Sequence, residues 1–168
     1  MEQQLREAVS NGSRRDEIRR AVREIYRDLS DAIQIRQPIC KTSGRCCRFE
    51  EFGHRLYVTT MELAAFVADL SVVSDQLSVA ASQSQRSLPV FPSNPGGCPF
   101  QIDGLCSVHT IRPFGCRIFF CDETSTHWQH EQYERLHSQL RQLHDELGVP
   151  YYYVEWRFAL RVLGLLQP

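Results

Sequence analysis

The residues most able to do chemistry in this sequence are its seven cysteines, which fall into two groups. Four lie in one stretch of the chain: Cys98, Cys106, Cys116 and Cys121. The other three lie upstream, in the segment Cys-Lys-Thr-Ser-Gly-Arg-Cys-Cys: Cys40, Cys46 and Cys47. Residues 48–97, which contain no cysteine, separate the two groups. Thiols clustered in two separate loops predict one site that two parts of the chain form together.

The chemistry that this pattern favours is metal binding. Thiolates bind soft and borderline metals strongly, and four of them complete a tetrahedral zinc site or hold one iron–sulfur cluster. Each thiol must lose its proton to act as a ligand, so the site needs compensating positive charge. Arginines near the cysteines either supply that charge or are solvated surface residues, and the sequence leaves both open for Arg45, Arg48, Arg112 and Arg117.

The adjacent cysteines Cys46 and Cys47 require a particular backbone. In a strand their side chains would point to opposite faces, so a turn must present both if both bind one site. Gly44, just upstream, permits the dihedral angles of such a turn. A metal-free redox pair is the weakest alternative, because two adjacent cysteines form a strained disulfide.

A β-hairpin is predicted for residues 98–109, around the turn signal Asp103-Gly104. A two-residue turn pairs Ile102 with Leu105. A three-residue loop with a glycine bulge pairs Gln101 with Leu105 instead. The two registers differ in which side chains share a face of the hairpin.

The register decides how two of the cysteines are placed. The two-residue turn puts Cys98 opposite His109 and Cys106 on the other face. The three-residue loop puts Cys98 and Cys106 on one face, and we favour it because it gathers two soft ligands. His109 itself either binds the metal or, as is more usual for such a histidine, forms hydrogen bonds.

Other polar residues have weaker claims to a site. Three histidines recur every seven residues along one helix edge, a wider step than that of helical metal-binding pairs, and we expect a solvated stripe: His130, His137 and His144. Asp122 and Glu123 follow Cys121 directly, and we expect them to begin a helix rather than to act as ligand or base. The sequence contains no phosphate-binding glycine motif and no nucleophile elbow.

At the cysteine segments the chain resembles the YkgJ family, described as zinc- or iron-chelating domains with a Cys-x-x-Cys-x-x-Cys-Cys motif. The resemblance covers residues 40–121, about half the chain. It rests on residues 40–47, on Cys-Pro-Phe at 98–100, on Asp-Gly-Leu-Cys-Ser-Val at 103–108, on Ile-Arg-Pro-Phe-Gly-Cys-Arg at 111–117, and on the Thr-Met-Glu-Leu helix start at 60–63. It implies a chelating role for these residues: Cys40, Cys46, Cys47, Cys98, Cys106 and Cys116.

The chain departs from that pattern at two positions. Ser43 stands where the motif has its second cysteine, and His109 stands where a tyrosine is usual. We add Cys121 to the predicted ligands as a replacement for the missing thiol. Flagellin lysine methylases carry a similar cysteine cluster, and this likeness implies iron–sulfur chemistry.

Helices are predicted to position these loops. A helix beginning near Ser13 or Asp16 and ending before Pro38 follows from apolar residues at helical spacing: Ile18, Val22, Ile25, Leu29 and Ile33. A shorter leading turn around Leu5, Ala8 and Val9 is predicted to be separated from it by Asn11-Gly12.

The rest of the chain alternates short strands with helices. A strand at 55–58 precedes a helix that a capping box of Thr59 and Glu62 begins. Residues 71–87 form either a second helix or a connector, and the prolines and glycines of 89–97 predict irregular chain. A leucine-rich helix ends at Gly148 and Pro150, and a strand at 151–154 and a helix at 156–166 follow.

These elements predict a mainly α fold with minor β structure, with helices packed around irregular cysteine-rich loops and one small β-hairpin. We expect a single domain, 1–168, with an N-terminal helical arm (1–36), a cysteine-cluster region (37–126) and C-terminal helices (127–168). The net charge of −1 argues against nucleic acid or anionic membrane as partners. With no signal peptide and no membrane span in the sequence, we expect a cytoplasmic protein, where thiols stay reduced.

The sequence therefore predicts a metal-binding protein that holds zinc or iron through a two-part cysteine cluster. The alternative is an iron–sulfur enzyme or redox protein with a [4Fe–4S] cluster, which seven thiols favour because one zinc needs only four. The predicted partner is the metal ion or the cluster. No catalytic residue or substrate follows from the sequence.

Overall fold

Helices make up most of the computed structural model, which describes residues 1–77 and 89–167. In chain order its α-helices are α1 (Glu2–Ser13), α2 (Asp16–Arg36), α3 (Phe49–Phe52), α4 (Thr60–Leu77), α5 (Phe114–Ile118), α6 (Thr126–Glu146) and α7 (Trp156–Val162). Two small antiparallel sheets join β1 (Tyr57–Thr59) to β4 (Tyr153–Glu155) and β2 (Gln101–Ile102) to β3 (Leu105–Cys106). The predicted class, mainly α with minor β structure, is confirmed.

The helix predicted from the first apolar repeat is α2. Its buried residues are those that the helical spacing selected: Ile18, Val22, Ile25 and Leu29. It ends before Pro38 because Gln37 adopts a left-handed conformation (φ 54°) and its N–H bonds to the Ile33 carbonyl. The predicted start at Asp16 is also confirmed.

The first helix, α1, is longer than predicted, because Asn11-Gly12 does not interrupt it. A Cβ atom added at Gly12 would lie 2.9 Å from the Cβ of Ala64 in α4. The glycine therefore permits close packing of α1 on α4 and does not end the helix. The chain turns instead at Arg14 and Arg15.

The predicted capping box begins α4. The Glu62 carboxylate accepts hydrogen bonds from the backbone N–H and the hydroxyl of Thr59, at 2.9 and 3.1 Å, and the Glu62 N–H donates to Thr59 Oγ1 at 3.3 Å. Of the segment predicted as helix or connector, residues 71–77 continue α4. Residues 78–87 lie outside the described part of the chain.

The strands predicted near 55–58 and 151–154 pair with each other as β1 and β4. Tyr57 is opposite Glu155 and Thr59 is opposite Tyr153. This pairing places the start of α4 beside the start of α7. The predicted final helix is shorter than expected: α7 ends at Val162, and Leu166 forms an isolated bridge with Phe91.

The buried apolar side chains form two clusters. One lies among α2, α4, α5 and α6. The other contains Phe66, Phe100 and Trp156, and it also includes Cys47 and Cys98. Parts of both cysteine segments, at Cys47 and Cys98, are therefore packed into the core.

None of the helices in the described ranges combines the length and the apolarity needed to cross a lipid bilayer.

Candidate metal centre

A tight turn presents Cys46 and Cys47 together. Gly44 adopts the left-handed conformation (φ 66°) and leads into a single 3₁₀ turn, Arg45–Cys47. The prediction that a glycine-assisted turn presents both cysteines is confirmed. The Gly44 carbonyl accepts a hydrogen bond from Gln101 Nε2 at 3.0 Å, so this turn lies against the hairpin of the second cysteine group.

The backbone joins the two cysteine groups directly. The N–H of Cys98 donates to the carbonyl of Cys47 at 2.7 Å. The structure therefore brings together two segments that 50 residues, 48–97, separate in sequence. Both segments are held by main-chain contacts that do not depend on a metal.

Four thiols lie close together, with Cys47 at the centre. The thiols of Cys106, Cys46 and Cys98 raise the pKa of Cys47, because its one proton can be shared with an adjacent sulfur atom. The neighbouring Cys47 thiol lowers the pKa of Cys46 to about 6 and that of Cys106 to about 7. The pKa of Cys98 is also lowered.

A small cavity of about 10 Å³ adjoins these four thiols. We call it the inner cavity. Its volume is roughly that of one water molecule. Five cysteines line it: Cys46, Cys47, Cys98, Cys106 and Cys116. Burial raises the pKa of the Cys116 thiol most, and the nearby thiols of Cys98, Cys46 and Cys106 raise it further.

A larger cavity of about 100 Å³ adjoins the same turn. We call it the outer cavity. Its cysteines are Cys40, Cys46, Cys47, Cys106 and Cys121. Cys40 is exposed and Cys121 is half-buried. The Ser43 hydroxyl lies 3.5 Å from Cys121 Sγ, so the serine that departs from the family motif contacts the cysteine that we added as its replacement.

All seven predicted cysteines therefore line one of two adjacent cavities. Cys46, Cys47 and Cys106 line both. Of these two cavities, Cys98 and Cys116 line the inner one alone, and Cys40 and Cys121 line the outer one alone. No disulfide joins them, because all seven thiols are free.

The hairpin register that we favoured is wrong. Ile102 pairs with Leu105, as a two-residue turn requires, and Asp103 and Gly104 both have positive φ angles of 49° and 80°. Cys98 and Cys106 approach Cys47 all the same. Cys98 and Gln101 form a turn, in which the Gln101 N–H donates to the Cys98 carbonyl at 3.2 Å. Cys98 therefore lies outside the strand, and the alternation of faces along the strand does not apply to it.

One arginine lies among the thiols. Arg112 lines both cavities, and its Nε atom is buried without a hydrogen-bond partner among the described residues. Its charge helps to lower the pKa of Cys46 and of Cys106. A buried, unpartnered guanidinium N–H is costly unless an anion is nearby. Arg112 therefore fits a site in which several thiols are ionised.

The other arginines near the cysteines contact a carboxylate, backbone carbonyls or a ring. Arg48 donates to the Glu51 carboxylate at 2.9 Å and to the Ser43 carbonyl at 3.0 Å. Arg117 donates to the carbonyls of Thr110 and Arg112. Arg45 lines the outer cavity, and its guanidinium lies 4.4 Å from the ring centre of Phe52.

The thiols do not form a ready-made cage for an ion. In residues 1–77 and 89–167, no group of three or more His, Cys, Asp or Glu side chains has the arrangement of a preformed metal site. Metal binding would form metal–sulfur bonds and would release the thiol protons.

The histidines are placed differently from one another. His109 is largely exposed and lines the outer cavity. Its pKa is lowered, first by burial of part of the ring and then by the charges of Arg112 and Arg117. The expected solvated stripe on α6 is wrong for His144, which is buried. Its Nε2 accepts from the Met61 N–H at 3.4 Å and its Nδ1 bonds to the Val149 carbonyl at 3.1 Å. It joins α6 to the start of α4.

Asp122 begins a helical turn, as predicted. Its carboxylate accepts hydrogen bonds from the N–H and hydroxyl of Thr124 and from the hydroxyl of Ser125. It also accepts from the Ile39 N–H at 3.2 Å, next to Cys40. These bonds lower the pKa of Asp122, and they join the segment that carries Cys40 to the segment that carries Cys121.

Two residues near the thiols were missed by sequence reasoning. His54 Nε2 lies 3.3 Å from the Cys46 carbonyl, and its ring stacks on Phe119. Trp156 lines the inner cavity together with Cys98, and its indole N–H is buried without a hydrogen-bond partner among the described residues. The sequence analysis treated Trp156 only as an apolar residue of a helix. The available signal was its position at the junction between a predicted strand and a predicted helix.

No family model, curated protein or solved structure matches the chain.

Proposed function

We propose that the chain is a metal-binding protein that holds zinc or iron through the two-part cysteine cluster, as the resemblance to the YkgJ family implies. The observation that carries the proposal is the meeting of the two cysteine groups around the inner cavity, where five cysteines lie beside the unpartnered Nε of Arg112. At pH 7 a thiol with a pKa of about 6 is mostly ionised and one with a pKa of about 7 is about half ionised, and the thiolate is the form that binds a metal.

The inner cavity supports a single ion. Its volume of about 10 Å³ suits one atom. Cys47, Cys98, Cys106 and either Cys46 or Cys116 would hold the ion. A zinc ion bound in this way supplies no redox chemistry, and it would stabilise the loops that the two cysteine groups form.

The outer cavity supports the second candidate, an iron–sulfur enzyme or redox protein. Its volume of about 100 Å³ is roughly ten times larger, and five cysteines line it. Four thiolates hold one [4Fe–4S] cluster, which supplies electron transfer when bound. Under this proposal Cys40 and Cys121 would be ligands together with cysteines of the 46–47 turn and the hairpin.

The cytoplasm is the compartment that we propose for the protein. All seven cysteines are free, including Cys40, which is exposed. Thiols of this kind persist in a reducing environment.

Anaerobic purification, followed by metal and acid-labile sulfide analysis and a visible spectrum, tests these proposals. A colourless protein with stoichiometric zinc supports the single ion, and a brown protein with iron and sulfide supports the cluster. The absence of metal from protein purified anaerobically, together with no uptake of added Zn²⁺ or Fe²⁺ by the reduced protein, would contradict both. The Cys98→Ser variant tests the single ion directly, because Cys98 belongs to both ligand sets and its replacement should release the zinc.

A further inference from the structure

A third cavity, of about 290 Å³, adjoins the cysteine cluster. Cys46 and Cys116 line it as well as the inner cavity. Nearly half of its lining residues carry rings: His54, Tyr57, Phe119, His130, Tyr133 and Tyr153. We call it the aromatic pocket. Its volume is close to the lower end of the range for small-molecule sites, about 300 Å³.

Ring contacts hold the sides of the aromatic pocket in place. His54 and Phe119 stack with their ring centres 5.3 Å apart and their planes 15° apart. Tyr57 of β1 and Tyr153 of β4 stack at 5.3 Å, as diagonal neighbours across the small sheet. The Tyr153 hydroxyl is hydrogen bonded to that of Tyr133 in α6. These pairs offer flat faces, which a planar ring contacts better than an aliphatic group does.

The charge of the aromatic pocket favours an anion. Its lining residues include one arginine, Arg55, and no aspartate or glutamate. Arg55 is exposed and forms no hydrogen bond or ion pair within the described ranges. The pKa of Glu50 is lowered, first by its bond with Arg157 and last by the charge of Arg55. The Glu50 carboxylate is paired with Arg157 at 2.9 Å. A cationic ligand would meet Arg55 without any carboxylate to offset the repulsion.

We propose that the aromatic pocket binds a small planar aromatic compound that carries one anionic substituent. Arg55 would contact the anionic group, and the paired rings would contact the plane. The bound compound would lie against Cys46 and Cys116. This adjacency to a metal ion rests on the proposed function, whereas the binding itself depends only on the pocket.

Fluorine NMR with 4-fluorobenzoate as the probe tests this proposal. We expect saturable binding to the wild-type protein and displacement by benzoate. Equal concentrations of cyclohexanecarboxylate, which has the charge without the ring, or of benzyltrimethylammonium, which has the ring with the opposite charge, should displace it poorly. Displacement by benzyltrimethylammonium as effective as that by benzoate would overturn the proposal.

Two variants and a control locate the probe. Arg55→Gln removes the cation and should weaken binding about ten-fold, as expected for loss of a charge-assisted hydrogen bond. Tyr57→Leu removes one stacking face and should weaken it several-fold. Arg27→Gln changes an exposed arginine of α2 outside the pocket and should leave the affinity unchanged. Equal affinity of the Arg55→Gln and wild-type proteins would overturn the assignment.

The same samples separate this proposal from the metal centre. Zinc content is measured in parallel, so a protein that binds the probe and holds no metal refutes the proposed function alone. In protein loaded with Co²⁺, the bound probe should show a broader fluorine line than in protein loaded with Zn²⁺, because the paramagnetic ion is nearby. Equal line widths in the two loaded samples would overturn the contact with the cysteine cluster.

Discussion

Glu62 accepts a hydrogen bond from the backbone N–H of Phe114 at 3.0 Å, although 52 positions separate the two residues. The same carboxylate caps α4 through Thr59. It also lies 3.4 Å from the hydroxyl of Tyr26 in α2. One buried side chain thus joins α2, the start of α4, and α5, the short helix that carries Cys116.

The Glu62→Gln variant should lose stability. An amide keeps one acceptor oxygen but presents an NH₂ group to neighbours that are themselves donors, so at least one buried N–H would lose its partner. We expect the free energy of unfolding to fall by about 1–3 kcal/mol, as for other unsatisfied buried groups. Urea denaturation measures the change. The exposed Glu24→Gln variant of α2 is the control, and an equal effect in both would contradict the role of Glu62.

The stability of the wild-type protein should also depend on pH through Glu62. Burial raises the pKa of this carboxyl above its usual value of 4.5. The folded state therefore binds the proton more tightly than the unfolded state does, and stability falls as the pH rises from 4.5 towards the folded-state pKa. Urea midpoints measured across this window, for wild type and Glu62→Gln, test the sign. A midpoint that rises with pH equally in both proteins would contradict it.

Local sequence signals predicted the helices that surround the cysteine loops. The spacing of apolar residues predicted which face of α2 is buried, and the Thr59–Glu62 capping box predicted where α4 begins. Such signals are reliable because they depend on neighbours three or four positions away. The same reasoning misread Gly12, whose role depends on Ala64 in a different helix.

Non-local pairing could not be predicted from the sequence. Nothing local to Tyr57 or Tyr153 indicates that β1 and β4 form one sheet. The register of the hairpin was chosen on the assumption that Cys98 lies within a strand. Because Cys98 instead begins a turn, that assumption gave the wrong register, although the two cysteine groups do lie together.

The Arg112→Gln variant should weaken metal binding. We expect a loss of about 10–100-fold in affinity, typical of residues that support metal ligands without binding the metal. Arg112→Lys, which keeps the charge, should lose less. Competition with a chelator measures the affinity. The control is Arg27→Gln, because Arg27 is an exposed residue of α2 and lines neither the inner nor the outer cavity. Equal affinities in wild type and Arg112→Gln would contradict the assignment.

The Arg112→Gln variant should also change thiol reactivity in the metal-free, reduced protein. Arg112 helps to lower the pKa of Cys46 to about 6, so its removal raises that pKa and reduces the thiolate fraction near pH 6.5. Alkylation of Cys46 by iodoacetamide at that pH should slow roughly two-fold, since the thiolate is the reactive form. Peptide mass spectrometry follows the modification. An unchanged rate at pH 6.5 would show that the Arg112 charge does not reach this thiol.

Serine variants at the two ends of the cysteine cluster should distinguish a single ion from a cluster. With one ion in the inner cavity, Cys98→Ser should lose the metal and Cys40→Ser should retain it. A cluster in the outer cavity reverses this order, because Cys40 lines only that cavity. Metal analysis of the two purified variants gives the answer. Retention of metal in both variants would contradict both assignments and would place the ligands among the other five cysteines.

The Gly12→Ala variant should destabilise the protein, although alanine normally stabilises a helix by about 1 kcal/mol relative to glycine. The added methyl group would lie 2.9 Å from the Cβ of Ala64. Overpacking of this kind costs about 1–3 kcal/mol, so we expect a net loss. The neighbouring exposed change Asn11→Ala should not destabilise. Thermal unfolding measures both.

A double-mutant cycle attributes the Gly12→Ala effect to one contact. Ala64→Gly removes the opposing methyl group, so Gly12→Ala should cost less in that background than in the wild-type protein. The difference measures the coupling between α1 and α4 at this point. An equal cost in the two backgrounds would mean that the strain lies elsewhere. A gain of stability from Gly12→Ala alone would mean that α1 does not pack on α4 at this distance.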